Sequence, residues 1–304
     1  MLVKKLTAVS MALAMSLPLI PLPVSAEDSV KVFVTIADGD GKLALTQKAV
    51  TVTDVDNDGT LTISDALYQA HEDNYKGGAK AGYEALLNPE YGLSLEMLWG
   101  VTNGGSYGYY VNHAMAWSLG DAVKDGDFID AFCYTTEDYS DVYCYFDTRQ
   151  ADAVKGDSVT LTLNCIGFDE TWLPVSLPVE NAVITVNGKD TKYKTDADGK
   201  VTLKLNTVGT ATISAKSDSA KLIPPVSIVN VSETAPTLFG DADENGEVDI
   251  LDIITINKNI LGKEILSAQA QKNADVDNNQ KIDSNDALNL LKYLVGIITE
   301  LPVA

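Results

Sequence analysis

The chain reads as a multidomain protein in three parts: an α+β module in front, an all-β sandwich in the middle, and a small all-α module of two loop-helix repeats at the end. Three observations lead there. A twelve-residue acidic loop with an apolar helical run behind it occurs at 241 and again at 275, an offset of 34 positions (275 minus 241). Between 157 and 232 the apolar residues come in short strand-length runs broken by turn residues, with no helical period. Ahead of that, strand alternation at 30–36 gives way to one helical stretch and then to strands again, the order of an α+β module.

Lys4 and Lys5, an apolar run over 6–24 and the small-residue end Val24-Ser25-Ala26 have the order of a secretory signal peptide, so 1–26 is expected to be removed on export. Pro18, Pro21 and Pro23 and the lack of a stop-transfer pattern argue against a retained membrane helix, and no other segment is apolar enough to span a bilayer. The expected location is therefore extracellular, with no membrane insertion after cleavage. With 43 acidic against 22 basic residues the net charge is −21, which disfavours nucleic acid and anionic membranes as partners.

The first mature module is expected over 27–150. Strands at 30–36 and 49–52 lead into an acidic loop of Asp54, Asp56, Asp58, Gly59, Thr60, Thr62 and Asp65, and a helix is expected over 64–74, ending towards Gly77 and Gly78. Oxygen side chains at loop positions 1, 3, 5, 9 and 12, with a backbone carbonyl at 7 (here Thr60), are what a Ca²⁺ ion of six to eight oxygen ligands requires. The competing reading is a tight acidic turn that only caps the helix.

Further on, an apolar stretch at 93–99 and the turn Asn103-Gly104-Gly105 precede Tyr107, Tyr109, Tyr110 and Asn112, and Asp125-Gly126-Asp127 turns into a strand over 128–134. The strings WGVTNGGSYGYYVN and LGDAVKDGDFIDAF resemble a bacterial domain family related to the C-terminal domain of transcobalamin and intrinsic factor. The resemblance implies a β-grasp-like fold, one helix against a mixed sheet; a corrinoid ligand would follow only by fold analogy. Tyr107, Tyr109 and Tyr110, with Trp99 and Trp117, offer flat faces for sugar rings, with Asn112 and His113 as hydrogen-bonding partners. Alternation of Tyr with Gly is equally what a half-buried strand shows, and core packing is the favoured reading for most of them.

Three cysteines, Cys133, Cys144 and Cys165, are too few for a disulfide framework. Cys133 and Cys144 flank a turn and are placed to face each other across a hairpin; buried free thiols are the plainer reading.

The second module, 151–232, carries strand-like runs at 159–165, 182–186, 192–194, 201–205, 210–215 and 226–231, with Asn187-Gly188 as a type I′ turn and Asp196-Ala197-Asp198-Gly199 closing the next pair. An antiparallel sandwich is the economical architecture. The string VENAVITVNGKDTKYKTDADGKVTLKLNTVGTATISAKSD resembles bacterial Ig-like modules, which implies a spacer or adhesion support. A short linker follows at 233–238.

The last module, 239–304, holds the duplicated loops. The first has Asp241, Asp243, Asn245, Gly246, Glu247, Asp249 and Asp252; the second has Asp275, Asp277, Asn279, Gln280, Lys281, Asp283 and Asp286, with the carbonyls of Glu247 and Lys281 at position 7. Carboxylates packed this closely repel one another unless a cation sits among them, so Ca²⁺ is expected to act as a folding cofactor of this module, two ions in all, and the calcium reading of loop 54–65 adds a third in the first module. Position 12 is Asp where the general loop has a longer Glu, and position 6 of the second loop is Gln280 where the turn favours Gly, so the second site is expected to be the weaker. Behind the loops Ile253 matches Ala287, Ile256 matches Leu290 and Lys258 matches Lys292 at the same offset.

This duplicated EF-hand-like pattern resembles a type I-like dockerin, the calcium-dependent module that plugs secreted proteins into cohesin domains of cellulosome-type scaffolds. By position, the resemblance assigns cohesin contact to Ile250, Leu251 and Lys258 in the first half and to Ser284, Asn285 and Lys292 in the second. The competing reading places Ile250 and Leu251 in the core. The apolar pair in one half and the polar pair in the other imply that the two faces bind a given cohesin unequally.

Taken together, the expected function is a secreted, non-catalytic component of a cellulosome-like, polysaccharide-degrading complex, held at the cell surface through a cohesin-bearing scaffold, with polysaccharide as a further partner. A dockerin-borne glycoside hydrolase is the first alternative and a cell-surface adhesin or structural subunit the second. A hydrolase needs two carboxyl groups across a substrate cleft; here the carboxylates sit mostly in loops and turns, and neither His71 nor His113 comes with a nucleophile motif.

Overall fold

The computed structural model describes residues 29–303 except 91, 103, 105, 235 and 236; the expected signal peptide and part of the linker lie outside the described residues. In the first module, alternation in β1 (Val30–Ala37) buries Val30, Val32, Val34 and Ile36 on one side, and β1 pairs antiparallel with β2 (Leu43–Val52). Helix α1 (Ile63–Asn74) lies against this hairpin and buries Ile63, Ala66, Leu67 and Ala70. A capping box starts it: the Thr62 hydroxyl accepts from the Asp65 N–H while Asp65 accepts from the Thr62 N–H. The short α2 (Ala79–Gly82) leads to the ribbon β3 (Tyr83–Asn88) and β4 (Gly92–Leu98), then to β5 (Tyr107–Val111), β6 (Ala114–Met115) and β7 (Phe128–Cys133). The sheet order is β2-β1-β7-β5-β6, with β7 parallel to β1, so the module is one main helix on a mixed sheet.

The middle module is an Ig-like sandwich of two five-stranded sheets. Its strands are β8 (Val142–Phe146), β9 (Gln150–Val154), β10 (Ser158–Phe168), β11 (Pro174–Pro178), β12 (Val183–Val186), β13 (Lys189–Lys194), β14 (Lys200–Lys204), β15 (Gly209–Lys216), β16 (Leu222–Ile223) and β17 (Ser227–Ser232). One sheet runs β11-β10-β8-β16 with β14 also on β10, the other β13-β12-β15-β17-β9. Phe146, Leu161, Leu163, Ile184, Ile213 and Val229 fill the space between them. Asn187 and Gly188 both take positive φ (50° and 73°), as a type I′ turn requires.

Three expectations change. The sandwich begins at β8, so a boundary at 150/151 cuts through its own strands; Cys144 and Phe146 belong to its core, and β9 pairs with β17. Two of its pairings, β8 with β16 and β9 with β17, are parallel. Cys133 lies in the first module's core and Cys144 in the sandwich, so they do not face each other across a hairpin; Cys144 is instead the register neighbour of Cys165. All three cysteines are free thiols, and burial pushes the Cys133 thiol up to about 12.

The two modules meet through a packed junction. Asp130 on β7 holds Arg149 at 2.9 Å with both side chains nearly buried, and the guanidinium lies over the Phe128 ring. The Tyr143 hydroxyl donates to Asp130 at 2.6 Å, and its ring stacks on Tyr110 at 3.6 Å.

The last module has α3 (Ile250–Ile260), α4 (Ala268–Ala274) and α5 (Ser284–Leu294). Helices α3 and α5 pack together and bury Ile253, Ile256, Ala287 and Leu290, residues that match at the 34-position offset. Helix α4 was not expected from the sequence pattern; Ser267 caps it, and Asn273 on it donates to the Asp241 carbonyl at 2.8 Å, tying it to the first loop.

Candidate metal loops and docking face

The acidic loops fold alike because their side chains satisfy their own backbone. In the first, the N–H groups of Asn245 and Gly246 donate to the two oxygens of Asp241 at 3.1 and 3.2 Å. In the second, Asn279 and Gln280 donate to Asp275 at 2.9 and 2.7 Å. The first-module loop repeats this with Asp58 and Gly59 on Asp54 at 3.1 and 2.8 Å. Position 12 is used identically: Asp252, Asp286 and Asp65 each accept from the N–H of position 2 with one oxygen and from that of position 9 with the other. All three loops also take positive φ at position 4 (Glu244, Asn278, Asn57) and at position 6 (Gly246, Gln280, Gly59). Gln280, at φ 67°, thus holds a conformation that suits glycine.

These bonds gather carboxylates. Asp241, Asp243 and Asp252 bring ligand oxygens within 4.8 Å of one another, and so do Asp275, Asp277 and Asp286. Asp241, Asp252, Asp275 and Asp286 are buried, and burial raises the pKa of Asp252 and Asp286. No Lys or Arg forms an ion pair with any of these six among the described residues. Mutually close carboxylates, two of the three in each cluster buried and none paired with a cationic side chain, form an all-oxygen donor set that fits a hard divalent cation of the Ca²⁺ type. Asp249 and Asp283 at position 9 cap α3 and α5 instead, accepting from Leu251 and Asn285 N–H groups, and Asp283 also meets Lys281 at 2.9 Å. In the first-module loop the cluster is Asp54, Asp56 and Asp58; Asp65 stands outside it and, unlike Asp252 and Asp286, also accepts from a hydroxyl, that of Thr62. That loop is also more open: Asp56 and Asp58 are exposed.

Behind the two C-terminal loops lies an apolar face. Ile250 and Leu251 are 55% and 50% exposed, which excludes the core reading for them. Ser284, Asn285 and Lys258 are exposed and Lys292 is half-buried. The structure adds Ile254 with Leu288 and Leu261 with Val295, all exposed and again matched at the 34-position offset. Helical period carries this signal: one face of each repeat enters the core, and the leftover apolar positions form a second, solvent-facing stripe.

The aromatic residues of the first module divide. Tyr110 is buried in the junction, and the Tyr107 hydroxyl donates to the Glu96 and Val101 carbonyls while its ring, with Tyr109, packs on the core. Asn112 is spent on its own turn, bonding Asp127 and the Phe128 N–H. These contacts are what core packing, the favoured reading for most of them, calls for. His71 is fully buried; its Nδ1 donates to the Leu67 carbonyl at 2.6 Å and its Nε2 accepts from the Trp99 N–H at 3.0 Å. Burial holds its pKa down to about 4.

Residues 239–295 match the family of the dockerin type I domain. Two solved structures from Acetivibrio cellulolyticus resemble the same region: complexes of the third cohesin of ScaC with the ScaB dockerin, mutated in its N-terminal or its C-terminal helix. The identities are 35% and 37%, each covering 22% of this chain and 94% and 96% of theirs, with a TM-score of 0.21. The N-terminal four Ig domains of Dscam1 are 8% identical over 50% of this chain and 41% of theirs, at a TM-score of 0.21. A comparison with curated proteins finds no match. The duplicated loops, their matched helices and the family match over them agree: the chain carries a type I dockerin domain at its C-terminal end.

Proposed function

We propose that this chain is a secreted, non-catalytic component of a cellulosome-like complex, which docks onto a cohesin through its calcium-loaded C-terminal module and presents its first two modules as binding cargo. The observation that carries the proposal is the pair of exposed apolar stripes, Leu251-Ile254-Leu261 and Leu288-Val295, set on helices whose N-termini are built from the two carboxylate clusters. Calcium is expected at Asp241, Asp243 and Asp252 and at Asp275, Asp277 and Asp286, with Asn245 and Asn279 contributing. A third ion is proposed at Asp54, Asp56 and Asp58, supported by the hydrogen-bond skeleton that this loop shares with the other two. Extracellular location accords with a dockerin, and no described helix is long and apolar enough to cross a membrane.

The test is titration calorimetry of the full chain against a type I cohesin. Binding is expected with calcium and is lost in excess chelator; full affinity in chelator refutes the proposal. Asp241→Ala and Asp252→Ala each weaken docking while Asp196→Ala does not, since Asp196 only braces a sandwich turn by accepting from Asp198 and Lys200. Leu251→Asp on α3 weakens binding more than Asn285→Asp on α5, because only the first removes apolar contact area.

A further inference from the structure

The junction between the first module and the sandwich carries a groove of about 640 Å³ that the docking function leaves unused. From the first module it is lined by His113, Met115 and Trp117, and from the sandwich by Tyr145, Phe168 and Trp172. Trp117 and Trp172 are 83% and 82% exposed. Indoles left in water cost hydration free energy, so two of them on one groove call for an explanation beyond packing.

Both are held out deliberately by their loops. The Trp117 and Ser118 N–H groups donate to the Asp121 carboxylate, at 3.1 and 3.4 Å. Asp169 accepts from the N–H groups of Thr171 and Leu173 at 2.8 and 3.0 Å and fixes the turn that presents Trp172. Trp172 sits there at φ 62°, a backbone conformation suited to glycine and strained for a bulky side chain. Between them His113 stacks on Tyr145 at 3.7 Å and is braced by Arg149 at 2.9 Å.

The chemistry of the lining selects the ligand. In a chain of net charge −21 the groove lining contains no Asp, Glu, Lys or Arg. Burial and the neighbouring Arg149 hold the His113 pKa down to about 4, so the imidazole adds no charge near neutrality. Broad, flat, uncharged aromatic surfaces match the C–H faces of pyranose rings, which repeat along a neutral glycan chain and carry their hydroxyls at the rim. A polyanionic glycan finds no cation here. We infer that the intermodule groove flanked by Trp117 and Trp172 is a binding site for a neutral polysaccharide. This rests on reading the first two modules as binding cargo, and cohesin docking does not depend on it.

The experiment is affinity electrophoresis of the full chain with calcium through gels of xyloglucan, hydroxyethylcellulose and galactomannan, with polygalacturonate as the anionic control. Retardation is expected in at least one neutral gel and not in polygalacturonate. Trp117→Ala and Trp172→Ala each weaken it about tenfold or more, equivalent to about 1.4 kcal/mol, with unchanged melting temperature and cohesin affinity. Retardation in none of the neutral gels, retardation only in polygalacturonate, or variants retarded as strongly as the unsubstituted chain overturns the inference. Cohesin affinity, measured on the same samples, separates each of those results from a failure of docking.

Discussion

Removing calcium should unfold the C-terminal module while leaving the rest of the chain folded. In each loop two buried carboxylates, Asp241 with Asp252 and Asp275 with Asp286, lie within 4.8 Å. At an effective dielectric of about 20 that separation corresponds to about 3.5 kcal/mol of repulsion per pair, or about 7 kcal/mol for both loops. A module of about 65 residues has a total stability of roughly 3–10 kcal/mol. Its core is small: Ile253, Ile256, Leu266, Ala287, Leu290 and a few alanines. The repulsion is thus comparable to the whole stability, and the cation is what offsets it. Scanning calorimetry of the full chain, with circular dichroism at 222 nm, reads this directly. In calcium the helices melt cooperatively; in excess chelator their signal is lost at ambient temperature while the β transitions remain. A helical transition of unchanged midpoint in chelator would falsify the electrostatic reasoning.

Three further outcomes follow from single residues. His71 has a folded pKa of about 4 against 6.5 unfolded, so the unfolded chain takes up its proton first as pH falls. Its contribution is complete above pH 6.5 and lost towards pH 4, roughly 3 kcal/mol in all; urea titrations of the first module's transition across that range should show it, and His71→Phe should flatten the slope. Arg149→Ala strands Asp130 in the junction and should cost about 3–5 kcal/mol, read as a lower melting temperature of the two front modules; a change under 1 °C would show that the pair is solvated. Gln280→Gly relieves a positive-φ side chain worth about 1 kcal/mol, so the second loop should bind calcium several-fold more tightly by calorimetry.

The loops were legible because their information is local. Ligand spacing, the turn at position 6, the cap at position 9 and the helical period behind them all lie within one repeat, and a second copy at a fixed offset removes chance. Helix α1 was legible for the same reason, starting one residue before the expected 64 with Thr62 and Asp65 as its capping box. The strands β8 and β9 were not, because a strand's module is decided by its partners: Phe146 faces Leu163 across a pairing that the sequence around 142–146 does not encode. The Tyr-rich stretch left two readings open for a related reason. Tyr alternation marks a strand but not which face is covered, and here the core and the junction cover it. Trp172 left a weak trace, a large apolar residue inside the polar turn Asp169-Glu170-Thr171, which becomes meaningful only once Trp117 is found across the groove.

The same loop therefore serves two structural economies within one chain. At 241 and 275 it nucleates α3 and α5, whose shared core is too small to hold the helices against their own carboxylates, so the metal site and the docking face form or vanish together. At 54 the loop precedes α1, whose Ile63, Leu67 and Ala70 are already committed to a core with Val32, Val34, Ile36 and Leu98. There the cluster is open to solvent and the position-12 Asp65 stands outside it, so the folding of α1 is not expected to wait for a cation. Chelation should accordingly leave α1 in place, so the groove between the front modules keeps its walls in conditions that abolish docking. Glycan retardation that persists in chelator, on a chain that no longer binds cohesin, is the behaviour this division of labour requires.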